Sequence, residues 1–173
     1  QLTADAVMAS ACLPTLYQAV QIGDEHYWDG GYSGNPAIYP LIYETRSADV
    51  LLVQINPVES PYVSGVNAQE IMERVNEITF NASLLAELRA IRFVTRQLQA
   101  GHLDPARYKQ LHMHRIDGEA ELRRFDASSK LNAEWAFLQL LHDQGQRAAE
   151  AWLAQNFDQI GQRSTLDLDA MLG

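Results

Sequence analysis

The chain has 173 residues, of which 47% are hydrophobic and 20% charged, so it is long enough to form one compact domain with a buried core. Its formal net charge of −9 argues against nucleic acid as a partner, because phosphates require a surplus of lysine and arginine. Cys12 is the only cysteine, which excludes an intrachain disulfide and a thiolate metal cluster. The first residue is glutamine, and we expect the chain to be the C-terminal part of a longer protein.

The N-terminal residues predict a short helix followed by a hairpin. Thr3 is a candidate N-cap for a helix that reaches about Ala11 and is closed by Pro14. Residues 20–22 and 26–28 predict two short strands around a tight turn.

The sequence after this hairpin predicts a loop and a second helix. Asp29-Gly30-Gly31 must leave the strand as an irregular loop, because two glycines end any strand. Asn35-Pro36 then predicts a helix that runs to about Thr45, with proline at its first position.

A buried strand and a long helix are predicted next. Residues 49–55 are nearly all apolar, which is typical of a strand buried on both faces in a parallel sheet covered by helices. Asn67 and Glu70 predict a capping box for a helix that Gly101 ends. Its apolar positions step by four and three and predict one buried stripe, formed by Ile71, Val75, Ile78, Ala82 and Leu85.

The C-terminal part predicts one strand and two helices. The strand covers residues 111–116, and the helices cover 132–143 and 146–160, with a glycine between them. Together the elements predict an α/β fold with a parallel-type sheet flanked by helices and a mostly helical C-terminal region. His112 and His114 share one strand face, but a metal site would need a third ligand, and only Asp117 is close in sequence. We therefore interpret the two histidines as structural.

Asp29 is the residue that most strongly suggests chemistry. An aspartate just beyond a strand end lies where open α/β folds place their active sites, and neighbouring glycines let the backbone turn sharply. Alone this signal is weak, because Asp-Gly is a common turn dipeptide.

A set of motifs in fixed order is more specific than the aspartate alone. A small-residue helix ending in proline is followed by a hairpin, a D-G-G motif and an N-P dipeptide. The sequence carries them as Ala9-Ser10-Ala11-Cys12-Leu13-Pro14, Tyr27-Trp28-Asp29-Gly30-Gly31 and Asn35-Pro36. This order resembles the patatin family over roughly residues 2–57. The resemblance implies a patatin-like three-layer α/β fold and a serine–aspartate dyad in which the aspartate takes the serine proton directly.

Carried over to this sequence, the resemblance implies that Asp29 is the catalytic aspartate and that Gly30 and Gly31 shape its loop. Residues 1–57 are then the C-terminal part of the catalytic α/β domain, and 58–173 form a mostly helical region packing on it. No G-x-S-x-G elbow occurs in the sequence, and Ser33 follows the loop instead of a strand-to-helix turn. We reject Ser33 as nucleophile and expect the serine in an N-terminal half of the same protein.

The function that the resemblance implies is lipid acyl hydrolysis, by a phospholipase or esterase, without a metal or organic cofactor. The substrate is a lipid or another ester, and peripheral membrane contact and a cytoplasmic or peripheral membrane location are expected. Two alternatives stay open. One is a catalytically silent binding or regulatory module that keeps the fold, and the other is a non-lipid esterase or acyltransferase.

Two groups of side chains bear on membrane contact. Three arginines lie on one face of the long helix, where they form either a solvated face or a contact with lipid phosphates: Arg89, Arg92 and Arg96. Five aromatic residues suit an interfacial rim or acyl pocket, although core packing explains them equally well: Tyr17, Trp28, Tyr39, Tyr43 and Tyr62.

Overall fold

A computed structural model of the chain describes residues 2–55, 58, 67–122, 125, 129 and 132–173. In chain order its elements are helix α1 (Ala4–Ala9), strands β1 (Val20–Ile22) and β2 (Glu25–Tyr27), a 3₁₀ turn (Gly30–Tyr32), helix α2 (Tyr39–Glu44), strand β3 (Asp49–Gln54), helix α3 (Ala68–Gln99), strand β4 (His112–Asp117), helices α4 (Glu119–Leu122) and α5 (Trp135–Asn156), a 3₁₀ turn (Phe157–Gln159) and helix α6 (Leu168–Leu172). This mixture of helices with a small parallel sheet agrees with the predicted α/β class.

The first helix and the hairpin form where the sequence predicts them. The Thr3 hydroxyl accepts a hydrogen bond from a backbone N–H of the first turn of α1 at 3.2 Å, as an N-cap does. The helix ends at Ala9, earlier than predicted. Strands β1 and β2 pair antiparallel, with Val20 opposite Tyr27. Gly23 stands in the turn between them with φ of +64°, a conformation that glycine adopts without steric cost.

The predicted helix after Asn35-Pro36 begins later than expected. Helix α2 starts at Tyr39, and Pro40 occupies its first turn, where the missing N–H costs no helical hydrogen bond. The proline in the first turn is therefore Pro40, and Pro36 lies before the helix.

Strands β3 and β4 form a parallel pair, which confirms the predicted strand and its parallel neighbour. The register sets Asp49 beside His112 and Gln54 beside Asp117. β4 comes from residues 58–173 and pairs directly with a strand from residues 1–57. The predicted division into two regions at residue 57 stays a prediction.

The prediction that β3 is buried on both faces is wrong for the described residues. Val50 and Leu52 are buried, but Leu51 is 45% exposed and Val53 66% exposed on the opposite face. In a parallel register the side chain of Leu51 lies on the same face as that of its partner His114.

On that second face, within the part of the chain that the structure describes, a helix covers β4 but leaves β3 exposed. Helix α5 lies against β4, where the Trp152 ring meets the His114 ring edge-on with centroids 5.8 Å apart. β3 lies beyond this contact, and its apolar side chains on this face are therefore left in solvent among the described residues.

The hydrophobic core lies on the first face of the sheet, between the sheet, α3 and the C-terminal segment. Its buried side chains are Ile38, Val50, Leu52, Leu84, Leu88, Ile91, Leu111 and Met113. Partly buried residues from α6 and the segment before it pack against this cluster: Leu166, Leu168, Met171 and Leu172.

Helix α3 forms over the predicted range, but its predicted buried stripe is wrong. The Asn67 side chain accepts a hydrogen bond from Glu70 N at 2.9 Å, which confirms the helix start. Of the predicted stripe, Ile71, Val75 and Ile78 are each about half exposed. The buried positions are Leu84, Leu88 and Ile91, about a third of a helical turn away at 3.6 residues per turn.

The two predicted C-terminal helices are one helix. α5 continues through Gly145, where an added Cβ would meet nothing within 4 Å among the described residues. A glycine inside a helix costs roughly 1 kcal/mol, which packing elsewhere along 22 residues offsets. Gly161, with φ of +78°, lies beyond the 3₁₀ turn that follows the helix.

Candidate active site

Asp29 stands between β2 and the 3₁₀ turn, and its carboxylate is partly buried. Its Oδ1 accepts a hydrogen bond from Gly31 N at 2.7 Å, and its backbone N–H donates to Cys12 O at 2.9 Å. A charged acceptor makes the first of these bonds short and strong. The side chain is thus oriented by the turn, while its backbone is joined to the segment that follows α1.

The segment between α1 and β1 is itself fixed by two further hydrogen bonds. Cys12 is buried, and its Sγ donates to Gln18 O at 3.0 Å. The Trp28 indole N–H donates to Tyr17 O at 3.1 Å. The segment after the small-residue helix therefore contacts the end of the hairpin and Asp29 directly.

The two glycines of the loop differ in their surroundings. A Cβ added at Gly31 would overlap the Phe80 ring and lie 3.0 Å from Asp29 Oδ1. A Cβ added at Gly30 would meet nothing within 4 Å among the described residues. A side chain is therefore sterically opposed at Gly31 but not at Gly30, and the loop-shaping role of the two glycines stays a prediction.

Two further residues with chemically active side chains lie near the loop, one of them the serine rejected as nucleophile. Ser33 is exposed at the end of the 3₁₀ turn, and its hydroxyl donates to Gly30 O at 3.0 Å. His26 is exposed on β2.

One face of α3 lies along the loop. The Tyr32 hydroxyl donates to Asn76 Oδ1 at 3.1 Å, and the rings of Tyr32 and Phe80 lie 5.1 Å apart at 53°. Phe80 therefore contacts two consecutive residues of the 3₁₀ turn, Gly31 and Tyr32.

The same face of α3 also bonds the backbone that leads into α2. Asn35 N donates to Ser83 Oγ at 3.0 Å, and Ile38 N donates to Glu87 Oε2 at 2.8 Å. The four helix residues involved recur at steps of four, three and four, as one helical face requires: Asn76, Phe80, Ser83 and Glu87. Sequence reasoning missed this face, although its spacing was visible.

The two strand histidines share a carboxylate that was also missed. His112 Nδ1 lies 3.4 Å and His114 Nε2 3.0 Å from Oδ1 of Asp49, the first residue of the neighbouring strand. His114 is almost fully buried. Across the described part of the chain, no three His, Cys, Asp or Glu side chains are grouped so as to hold a metal ion.

The arginines and aromatic residues considered for membrane contact differ in their surroundings. Arg92 and Arg96 approach Asp169 of α6 at 3.8 and 2.6 Å, and Arg89 is exposed. Four of the five aromatic residues are exposed and so do not pack in a core among the described residues: Tyr17, Trp28, Tyr39 and Tyr43. Tyr62 lies outside the described residues.

The site therefore consists of a partly buried aspartate on a strand-end loop of an α/β structure. A family model described as patatin-like phospholipase matches residues 2–42, which include the hairpin, the Asp29 loop and most of α2. The resemblance to the patatin-like phospholipase family is confirmed over this stretch. No curated protein and no solved structure matches the chain. None of the helices among the described residues is both long and apolar enough to span a bilayer.

Proposed function

We propose that this chain supplies the general base, Asp29, of a patatin-type lipid acyl hydrolase whose serine nucleophile lies in a segment N-terminal to the sequence. The observation that carries the proposal is the Asp29 carboxylate itself. It is partly buried, oriented by Gly31 N, and placed at a strand end inside the stretch that the family model matches.

The chemistry requires one proton acceptor and one nucleophile. The serine hydroxyl attacks the ester carbonyl, and its proton moves to Asp29. The ester C–O bond then breaks, the protonated Asp29 returns the proton to the leaving alcohol, and water releases the acyl group by the same route. Because Oδ1 already accepts the Gly31 hydrogen bond, we assign the proton transfer to Oδ2.

The same proposal extends to the fold. We infer that further strands and helices from the N-terminal segment complete a three-layer α/β fold, in which a helix covers Leu51 and Val53. What supports this is that these apolar side chains are exposed on a sheet face that α5 only partly covers. Burial of such side chains contributes about 25 cal/mol per Å² of apolar surface.

The test is Asp29→Asn in the protein that includes the N-terminal segment, with p-nitrophenyl ester turnover and a thermal melt as readouts. An amide oxygen still accepts the Gly31 hydrogen bond but cannot take a proton, so turnover should fall by about 10²–10⁴-fold with little change in the melt. Asp24→Asn, in the exposed hairpin turn, is the matched control and should leave turnover unchanged.

Near-wild-type turnover by Asp29→Asn would eliminate Asp29 as the base. Loss of turnover together with a collapsed melt would mean that Asp29 serves to hold its loop. A protein without ester turnover whose N-terminal segment lacks an elbow serine would instead be the silent binding module. Comparing phospholipid vesicles with short water-soluble esters separates lipid hydrolysis from the non-lipid esterase.

A further inference from the structure

Helix α3 follows the family-matched stretch and lies against the Asp29 loop. Its Phe80 ring occupies the space that a side chain on Gly31 would need, and it packs on the ring of Tyr32. Asn76, one turn earlier, accepts the hydrogen bond of the Tyr32 hydroxyl at 3.1 Å. Gly31 and Tyr32 are two of the three residues of the 3₁₀ turn, so α3 contacts most of it.

The 3₁₀ turn supplies the hydrogen bond that orients the Asp29 carboxylate. Ser33 N and Gly34 N both bond Gly30 O at 2.9 Å, which closes the turn but does not fix its direction relative to α3. The Gly31 N–H donates to Asp29 Oδ1 at 2.7 Å, so a rotation of the turn moves the donor that orients the carboxylate.

On this basis, and resting on the proposed function of Asp29, we propose that Phe80 and Asn76 are positioning residues of the serine–aspartate dyad. They hold the turn so that the carboxylate meets the serine hydroxyl at hydrogen-bond distance. Neither side chain touches the substrate in this role. Proton transfer is sensitive to this distance, and a displacement of about 1 Å can cost about 10²-fold in rate.

The experiment compares Phe80→Leu and Asn76→Ala with wild type in the protein that includes the serine segment. Phe80→Leu keeps an apolar side chain but removes the ring that covers Gly31, and Asn76→Ala removes the acceptor for Tyr32. Phe93→Leu is the matched control, because Phe93 belongs to the same helix and is 63% exposed. The number of competent sites is measured with a p-nitrophenyl alkylphosphonate, which labels the serine and releases one p-nitrophenolate per site.

This titration separates positioning from a general structural role. Positioning lowers kcat per titrated site by about 10- to 100-fold in both variants, with KM nearly unchanged and Phe93→Leu equal to wild type. A merely structural role lowers the titrated fraction and the melting temperature and leaves kcat per titrated site at the wild-type value. That second outcome overturns the inference while the function of Asp29 stands.

Failure of the proposed function gives a different result. A wild-type protein that is neither labelled nor active, or an Asp29→Asn variant as active as wild type, overturns the function and the positioning inference together. Because Asn76→Ala removes one partly buried hydrogen bond and no aromatic ring, it keeps the test decisive if Phe80→Leu fails to fold.

Discussion

Oδ1 of Asp49 lies 3.0 Å from Nε2 of His114 and joins the first residue of β3 to a buried histidine of β4. The same oxygen accepts a hydrogen bond from Gly161 N at 2.8 Å, and His114 Nδ1 bonds the Thr165 hydroxyl at 2.9 Å. This network connects the parallel sheet to the segment that follows α5. Both ring nitrogens of the buried His114 thereby have hydrogen-bond partners.

Asp49→Asn should destabilise the fold near neutral pH. The substitution replaces a charged acceptor of two hydrogen bonds with a neutral amide, and hydrogen bonds to charged groups contribute about 1.5–3 kcal/mol to the free energy of unfolding. We expect a loss within that range in urea unfolding at pH 7. Asp24→Asn in the exposed hairpin turn is the control and should change little.

The difference in stability between wild type and Asp49→Asn should also depend on pH. The Gly161 N–H, and after it the hydrogen bond with His114, hold the pKa of Asp49 below its ordinary value. The stabilisation is therefore fully present above the unfolded-state pKa of about 3.9 and is lost as pH falls through the lower folded-state pKa. The difference between wild type and Asp49→Asn should shrink below about pH 4. A difference that persists undiminished in strong acid would contradict this explanation.

The two faces of α3 give a second prediction, on stability. Leu88 is completely buried, and Leu88→Ala should cost about 2–5 kcal/mol of unfolding free energy. Ile78 is 56% exposed, and Ile78→Ala should stay within about 0.5 kcal/mol. Chemical unfolding of both variants measures this contrast. Equal costs would mean that Ile78 is buried by another part of the protein, as the sequence pattern predicted.

This contrast shows where the sequence is informative and where it is not. The range of α3 could be predicted from local signals, since Asn67 caps its start and Gly101 follows its end. Its buried face could not, because apolar residues recur with helical spacing on two different faces. Which face is buried depends on what the rest of the chain presents to the helix.

The candidate site also has some features that could be predicted from local sequence and others that could not. The hairpin and the position of Asp29 in a loop after a strand were predictable, because glycine and aspartate favour turns in the backbone beside them. The contacts that hold the loop were not, because Tyr32 and Asn76 are 44 positions apart and Ile38 and Glu87 are 49 apart. Periodicity shows which residues share a face but not which distant segment that face contacts.

The contact between Gly31 and Phe80 gives a third prediction. Gly31→Ala should cost about 1–3 kcal/mol, because its methyl group overlaps the Phe80 ring, and the cost should be smaller in a Phe80→Leu background. Gly30→Ala is the neighbouring control and should be nearly neutral, since its added methyl group meets nothing within 4 Å. Thermal and urea unfolding of Gly31→Ala, Phe80→Leu, the double variant and Gly30→Ala measure the coupling between positions 31 and 80. Additive effects of the Gly31 and Phe80 changes would show that the two residues are not in contact.

The last prediction tests the continuity of α5. Gly145→Ala should raise the free energy of unfolding by about 0.5–1 kcal/mol, because alanine loses less backbone entropy than glycine on entering a helix and its methyl group meets no atom. Gly101→Ala should lower it by about 1–2 kcal/mol, because Gly101 follows α3 with φ of +75°, which a Cβ opposes. The two variants make the same chemical change at a helix interior and at a helix end, so urea unfolding should give effects of opposite sign. If Gly145→Ala is destabilised as strongly as Gly101→Ala, Gly145 ends a helix, and the two separate helices predicted from the sequence replace the single α5.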